Sequence, residues 1–439
     1  MSEDLREIKK YALMFPYSKY YAEWKPIFLR YLRVSRSLKT MHSPIRSISV
    51  QLAILQTLFE VEQVIEKQIK EKGMGKSDCN VVYNQRLRHI LKDIADGLAW
   101  RLLDFNRPLM RLLSQNKAPG HIKTPTSQED DIATRFVSVG GHVLIHDITN
   151  ILRIGDLTLI DPTGYPSVVE IKKSGKQILD ANEYKRRVLK GGDLSSQAQR
   201  IVEVDNAIQD GLVKRGDSTV NLALFDTCID SYLPEIKDIL STCNKFGYSE
   251  RFIDKLLYVR AYRLDSGHKP LPLKQTDHLH WFSSQDCLIL KNGEVFRNKI
   301  PYSAYPFSDE MVLQLISGEV ILESYLNLVA LKKRFEKSGW KVKNNKSIEQ
   351  ISEQFKILKT HAYKGNGLFP VEVDNSIFTL WKNGFNFAVP VEMTLLITAD
   401  FFKPEVIIET AEKLLSLTEP VRANGAFGIG FSNEKRIWV

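Results

Sequence analysis

Residues 153–175 read "RIGDLTLIDPTGYPSVVEIKKSG", and this stretch decides how the middle of the chain folds. Two apolar runs, "LTLI" and "SVVEI", flank "DPTGYP", which is dense in turn formers. The pattern predicts an antiparallel hairpin centred on Thr163, with Asp156 across from Glu170. Side chains alternate along a strand, so Asp156, Thr158, Glu170 and Lys172 are expected on one polar face. Leu157, Leu159, Val169 and Ile171 then take the other face, toward a core. Register is the assumption here, because a slip of one residue changes which side chains share a face.

Two carboxylates held a few ångströms apart repel unless a cation lies between them. Both are oxygen acceptors, the ligands Mg²⁺ prefers, and the ion keeps positions open for water and phosphate. A lysine beside that metal lowers the pKa of an attacking water or stabilises the charge of a transition state. The plain alternative is a surface ion pair on an exposed strand, since Glu-x-Lys is common.

Outward from the hairpin, a helix at 128–139 leads into "HVLIHDI", "ILRIGDLTLID" and "SVVEIKK". A basic segment, "NEYKRRVLKGGD", a helix, "SSQAQRIVEVDNAIQDG", and a strand, "STVNLALFDT", follow. This α-β-β-β-α-β order describes a mixed α/β domain over 119–270. Before it, 1–118 repeats apolar residues at helical spacing and reads as a helical domain that ends in the linker "SQNKAPGHIKTPTSQ". After it, 271–439 reads as an α+β domain: "DEMVLQLISGEVILESYLNLVALKKRFEKSG" is expected as helix and "FAVPVEMTLLITA" as strand. "GAFGIGF" lacks the spacing of a dinucleotide-binding loop and is expected as a turn. His142 and His146 share a face of the first strand and are expected as satisfied structural histidines.

The net charge of +9 is uneven, with 21 Lys and Arg against 12 Asp and Glu in residues 1–120. "WKPIFLRYLRVSRSLKTMHSPIRS", from Trp24 to Ser47, has six basic residues and no acid, and Trp24, Phe28 and Tyr31 alternate with Arg30, Arg33 and Arg36. Such a surface attracts phosphate and offers rings for bases to stack on. The same pattern also fits an amphipathic helix whose aromatics are core and whose arginines face water. Four scattered cysteines without a CxxC pair suggest reduced thiols and a cytoplasmic setting. No membrane span or signal segment is expected.

The hairpin and its flanks resemble the PD-(D/E)XK, or restriction-endonuclease-like, nuclease superfamily. There a carboxylate opens the second core strand and (D/E)-x-K closes the third; here "GD" supplies Asp156, and "EIK" supplies Glu170 and Lys172. "QEDDIATRFVSVGGHVLI" offers Glu129 on the preceding helix, with Asp130 and Asp131 as alternatives. A similar acid, apolar face and glycine occur in archaeal Holliday-junction resolvases. On the following helix, Gln197 and Arg200 match a glutamine or basic residue of many members.

The resemblance covers about 125–215 and implies a Mg²⁺-dependent endonuclease, with Mn²⁺ able to substitute and DNA favoured over RNA as substrate. Asp156, Glu170, the Ile171 carbonyl and Glu129 would bind the metal, and Lys172 would orient the hydrolytic water. Lys185, Arg186, Arg187 and Lys190 would hold the nucleic-acid backbone. Family-level association adds restriction or anti-phage defence, with a homodimer or a defence-complex partner. The competing expectation is a non-catalytic nucleic-acid-binding or structural subunit that keeps the fold.

Overall fold

An antiparallel meander occupies the middle of the chain: β1 (His142–Ile145), β2 (Leu157–Ile160), β3 (Pro166–Ile171) and β4 (Ile178–Leu179) pair in that order. The β2–β3 ladder runs from Leu157↔Val169 to Ile160↔Pro166, a register centred on Thr163. Asp161 closes the turn by accepting from the N–H groups of Thr163 (2.8 Å) and Tyr165 (2.9 Å). The computed structural model describes residues 3–37, 43–70, 73–75, 77–114, 127–152, 154–171, 178–189, 195–210, 212–215, 218–225, 230–266, 287–291, 300–347, 350, 376–416 and 426–431.

One expectation about the hairpin needs correction. Thr158 is fully buried, while Leu159 and Ile171 are only half-buried, so the division into a wet polar face and a dry apolar face fails. Helices pack against both ends of the meander, and a polar strand residue here is hydrogen-bonded inside the protein instead of hydrated.

The helices before the sheet are α1 (Glu3–Met14), α2 (Lys19–Ser37), α3 (Pro44–Lys70), α4 (Cys79–Leu102), α5 (Arg107–Leu113) and α6 (Ser127–Ser138), of which α3, α4 and α6 reach β1. By length and composition α3 could cross a membrane. Here Ile54, Leu58, Val61 and Ile65 form a buried stripe at helical spacing, and the helix packs on α4 and β1.

Two buried polar devices join these helices to the sheet. Gln51 of α3 is fully buried; its amide donates to the Val143 carbonyl (2.6 Å) and accepts from the Ile145 N–H (2.9 Å). A side chain thus stands where a further strand would pair with β1. Lys92 and Asp96, one turn apart on α4, hold the loop between β1 and β2. Lys92 donates to the Asp147 carbonyl (2.9 Å), and Asp96 accepts from the N–H groups of Asn150 (2.8 Å) and Ile151 (3.3 Å).

These interactions make the helical segment and the sheet one body. The chain forms two compact units: Met1–Leu222 with Pro301–Ser317, and Ala223–Ile300 with Gly318–Trp438. The limits differ from the three-part division read at 118 and 270.

After β4 come α7 (Ala181–Leu189), α8 (Ser196–Asp210), β5 (Leu212–Arg215) and β6 (Ser218–Phe225), whose last three residues belong to the second unit. The basic segment is therefore part of a helix, α7, which the sequence pattern does not mark. β6 pairs with β5 (Leu212↔Asn221) and joins no strand of the meander among the described residues. The protein is a mixed helix-and-sheet fold, and the expected α-β-β-β-α-β order is interrupted by β4, α7 and β5.

The second unit contains α9 (Leu233–Phe246) and a sheet ordered β7 (Tyr248–Ile253), β8 (Leu257–Arg263), β10 (Val320–Asn327) and β9 (Cys287–Lys291). The expected helix over 309–339 is instead α10 (Asp309–Ser317), which belongs to the first unit, then β10, then α11 (Leu328–Lys337). Almost every residue of β10 is buried, so no alternation marks it as a strand. A second sheet holds β11 (Lys341–Asn344), β12 (Ser376–Lys382) and β13 (Phe385–Pro390), followed by α12 (Val391–Thr398) and α13 (Glu405–Ser416). Residues Ala426–Phe431 form β14, a strand where a turn was expected.

Candidate functional site

The approach to Asp156 is set by the glycine before it. Gly155 has φ +74°, and a Cβ there would lie 2.6 Å from Val168 Cγ1 and 2.7 Å from the Val169 carbonyl oxygen. Only a residue without a side chain lets β2 pass this close to β3. Immediately after it, the Asp156 N–H donates to the Val169 carbonyl (2.9 Å), and the Asp156 carbonyl accepts from the His146 N–H (3.0 Å). The Asp156 carboxylate then accepts from the Ile171 N–H at 2.7 Å, so it is turned toward the end of β3.

His146 supports this segment from the side. Its Nδ1 lies 3.2 Å from the Gly155 carbonyl, which can only accept, so the proton is on Nδ1. Nε2 lies 2.7 Å from the Thr158 hydroxyl, its hydrogen-bond partner. Both ring nitrogens of His146 have partners, so it is a satisfied structural histidine in this arrangement.

Glu170 stands one position beyond the Leu157↔Val169 pair and faces Leu179 of β4 on its other side. Its carboxylate accepts a hydrogen bond from the Tyr184 hydroxyl. Tyr184, buried on α7, is placed by that helix's N-terminus, where Asp180 accepts from the Glu183 N–H (2.8 Å). Lys185 then ties α7 to α8 through Asp205 at 3.0 Å. Sequence reasoning missed Tyr184; its signal was the capping pattern Asp180-x-x-Glu183, with the tyrosine one turn into the helix.

Asp156 and Glu170 are thus brought to the same end of neighbouring strands, both half-buried. Both are oxygen donors of the kind a hard cation takes. The donor set fits Mg²⁺ in kind, although among the described residues no group of three His, Cys, Asp or Glu converges on one point. Ile171 contributes its N–H to Asp156. Lys172 and Lys190 lie outside the described residues. Glu129 falls in the first turn of α6, Gln197 at the start of α8 and Arg187 near the end of α7, and their side chains lie outside the described residues. Arg200 is half-buried on α8.

The proposed phosphate-contacting residues divide into two kinds. Lys185 is committed to Asp205, while Arg186 is exposed and pairs with Glu183 (3.2 Å) within α7. On α2, Phe28 is fully buried, Trp24 packs against it at 6.2 Å between ring centres, and Tyr31 bonds Thr57 (2.9 Å). Phe28 is core, as in the amphipathic-helix reading, while Trp24 and Tyr31 are half-buried beside it.

Arg36 donates to Asp309 and to the carbonyls of Tyr305 (3.0 Å) and Phe307, holding the 305–309 segment against α2. Burial lowers its pKa, partly offset by Asp309. Burial likewise pushes Arg101 down to about 10, with repulsion from Arg36 adding to it. Arg33 lies 3.8 Å from Asp309, and Arg30 is exposed. Arg36 is therefore a structural residue and not part of a phosphate surface, because both of its terminal guanidinium nitrogens are engaged inside the unit.

Comparison of the chain with protein-family models, with curated proteins and with solved structures yields no match.

Proposed function

We propose that the protein is a metal-dependent nuclease of the PD-(D/E)XK type, acting on DNA as an endonuclease, with a role in restriction or anti-phage defence. The observation that carries this reading is the register of the β2–β3 hairpin, which brings Asp156 and Glu170 to one end of adjacent strands. Asp156, Glu170 and the Ile171 carbonyl would hold Mg²⁺ or Mn²⁺, with Glu129 as a further ligand. The ion, when bound, supplies positive charge to the scissile phosphate. Lys172 would orient the water for in-line attack, and Gln197 and Arg200 would line the approach from α8.

A second reading has its own support. Asp156 is engaged by Ile171 and Glu170 by Tyr184, as in a fold that keeps its acids for structure. In that case the chain is a nucleic-acid-binding or structural subunit of a defence complex.

Cleavage of plasmid, linear, single-stranded and RNA substrates in Mg²⁺ separates the two. Asp156→Ala and Glu170→Ala should each abolish cleavage while leaving nucleic-acid affinity intact. Lys172→Ala should slow the single-turnover rate by about 10²–10⁴-fold, as for a positioned acid–base group, whereas Lys173→Ala should change little. Wild-type rates in both acid variants, or no cleavage by the wild-type chain, would sink the nuclease assignment.

A further inference from the structure

The sheet β11–β12–β13 has one core face and one outward face. Along β12, Phe378 and Leu380 are buried while Thr379 and Trp381 are half-buried. On the edge strand β11, Lys341 and Lys343 are exposed and stand across from Trp381 and Thr379. On β13, Asn386 and Ala388 continue the same two rows. Residues directly opposite in a ladder project to the same side. The outward face therefore sets Trp381 between Lys341 and Asn386, with Lys343 beside them. Among the described residues, no ring contact or hydrogen bond engages the Trp381 side chain.

The charge around this tryptophan is one-sided. Residues 332–346 contain seven Lys and Arg against a single Glu. Lys333 and Lys337 are exposed one turn apart on α11, which packs beside β11. Among the described residues, Lys333, Lys337, Lys341, Lys343 and Lys346 have no acidic partner. A solvated face alone accounts for lysines, but it does not account for a half-exposed indole standing among them.

We propose that this face binds single-stranded DNA, with Trp381 stacked on one base and Lys341, Lys343 and Lys337 on the neighbouring phosphates. Unpaired bases present the π-face that an isolated indole takes, and the backbone supplies regularly spaced anions for the lysines. A duplex hides its base faces, whereas an unpaired strand offers both the ring to stack on and the row of phosphates. The choice of DNA over RNA rests on the nuclease reading above; the recognition of an unpaired strand does not.

Fluorescence anisotropy of labelled oligo(dT), titrated with the full chain in EDTA, tests this without any cleavage. The wild-type chain should bind oligo(dT) more tightly than oligo(U) or a duplex hairpin. Trp381→Ala should weaken binding about 5- to 150-fold, the range for losing one base stack, and Trp381→Phe should restore most of it. Lys341→Glu with Lys343→Glu should flatten the log–log salt dependence by about 0.7 for each phosphate no longer neutralised. Because both lysines are exposed, that variant tests the surface even if Trp381→Ala fails to fold.

No binding by the wild-type chain, or wild-type affinity and salt slope in the variants, would overturn the proposal. Equal affinity for the duplex would remove the single-strand assignment, and tighter binding of oligo(U) would remove DNA. Binding that depends on Trp381 in a chain that cleaves nothing would refute the nuclease reading alone. Cleavage with unaltered binding by the variants would refute this surface alone.

Discussion

Gly155→Ala probes the close approach that aims Asp156, and Gly164→Ala is its built-in control. Both glycines have positive φ, +74° and +89°, but a Cβ at Gly164 would meet nothing within 4 Å. An L-residue in the left-handed region costs roughly 1–2 kcal/mol, offset by about 0.4–1 kcal/mol from the smaller entropy of the unfolded chain. Gly164→Ala should therefore destabilise by about 1 kcal/mol or less.

At Gly155 the new methyl also presses on Val168 and on the Val169 carbonyl, and the latter is backbone that already accepts from the Asp156 N–H. Overpacking of this kind adds about 1–3 kcal/mol, for a total of about 2–4 kcal/mol. Urea unfolding of the two variants measures the difference. Hydrogen exchange at the β2 and β3 amides assigns the loss to the hairpin, which matters because a chain of two units need not unfold in one step. If Gly155→Ala costs no more than Gly164→Ala, the close approach of β2 to β3 is not what requires glycine.

Two further outcomes are expected. Burial and the charges of Arg86, Arg88 and Lys92 lower the pKa of His89 from 6.5 to about 4. A depressed folded pKa means that its stabilising effect is present above about pH 6.5 and is lost as pH falls toward 4; His89→Gln should flatten melting temperature against pH in that window, and an unchanged profile would exclude His89 as the cause. Arg36→Ala should destabilise by about 1.5–3 kcal/mol, the range for hydrogen bonds to charged groups, while Arg30→Ala on the exposed side of α2 should be nearly neutral. Equal thermal shifts in the two variants would show that the Asp309 clamp contributes nothing.

Local chemistry made the hairpin legible. Asp161, Thr163 and Gly164 specify a turn whatever surrounds it, and the turn fixes the register that pairs the strands of Asp156 and Glu170. What sequence reading lost depends on partners distant along the chain. Arg36 looks like a phosphate ligand until Asp309 and two carbonyls more than 260 residues away are seen to occupy it. Thr158 looks solvent-facing until His146 meets it inside the protein. The strand β10 was hidden for another reason: burial on both faces erases the two-residue period and leaves an apolar run that also suits a helix. Tyr184 went unnoticed because a tyrosine among basic residues carries no signature until α7 lays it against Glu170.

Gln51 has a consequence for self-association. An open strand edge recruits other strands, and a nuclease that cut both strands of DNA as a dimer could have formed it by joining two meanders edge to edge. At β1 that route is closed: the outward-facing carbonyl of Val143 and N–H of Ile145 are already satisfied by a buried amide from the same chain. A second copy pairing there would have to displace α3 from the core of its own unit. Two-fold assembly must therefore use another surface, and the β1 edge is protected from the strand exchange that makes exposed sheets aggregate.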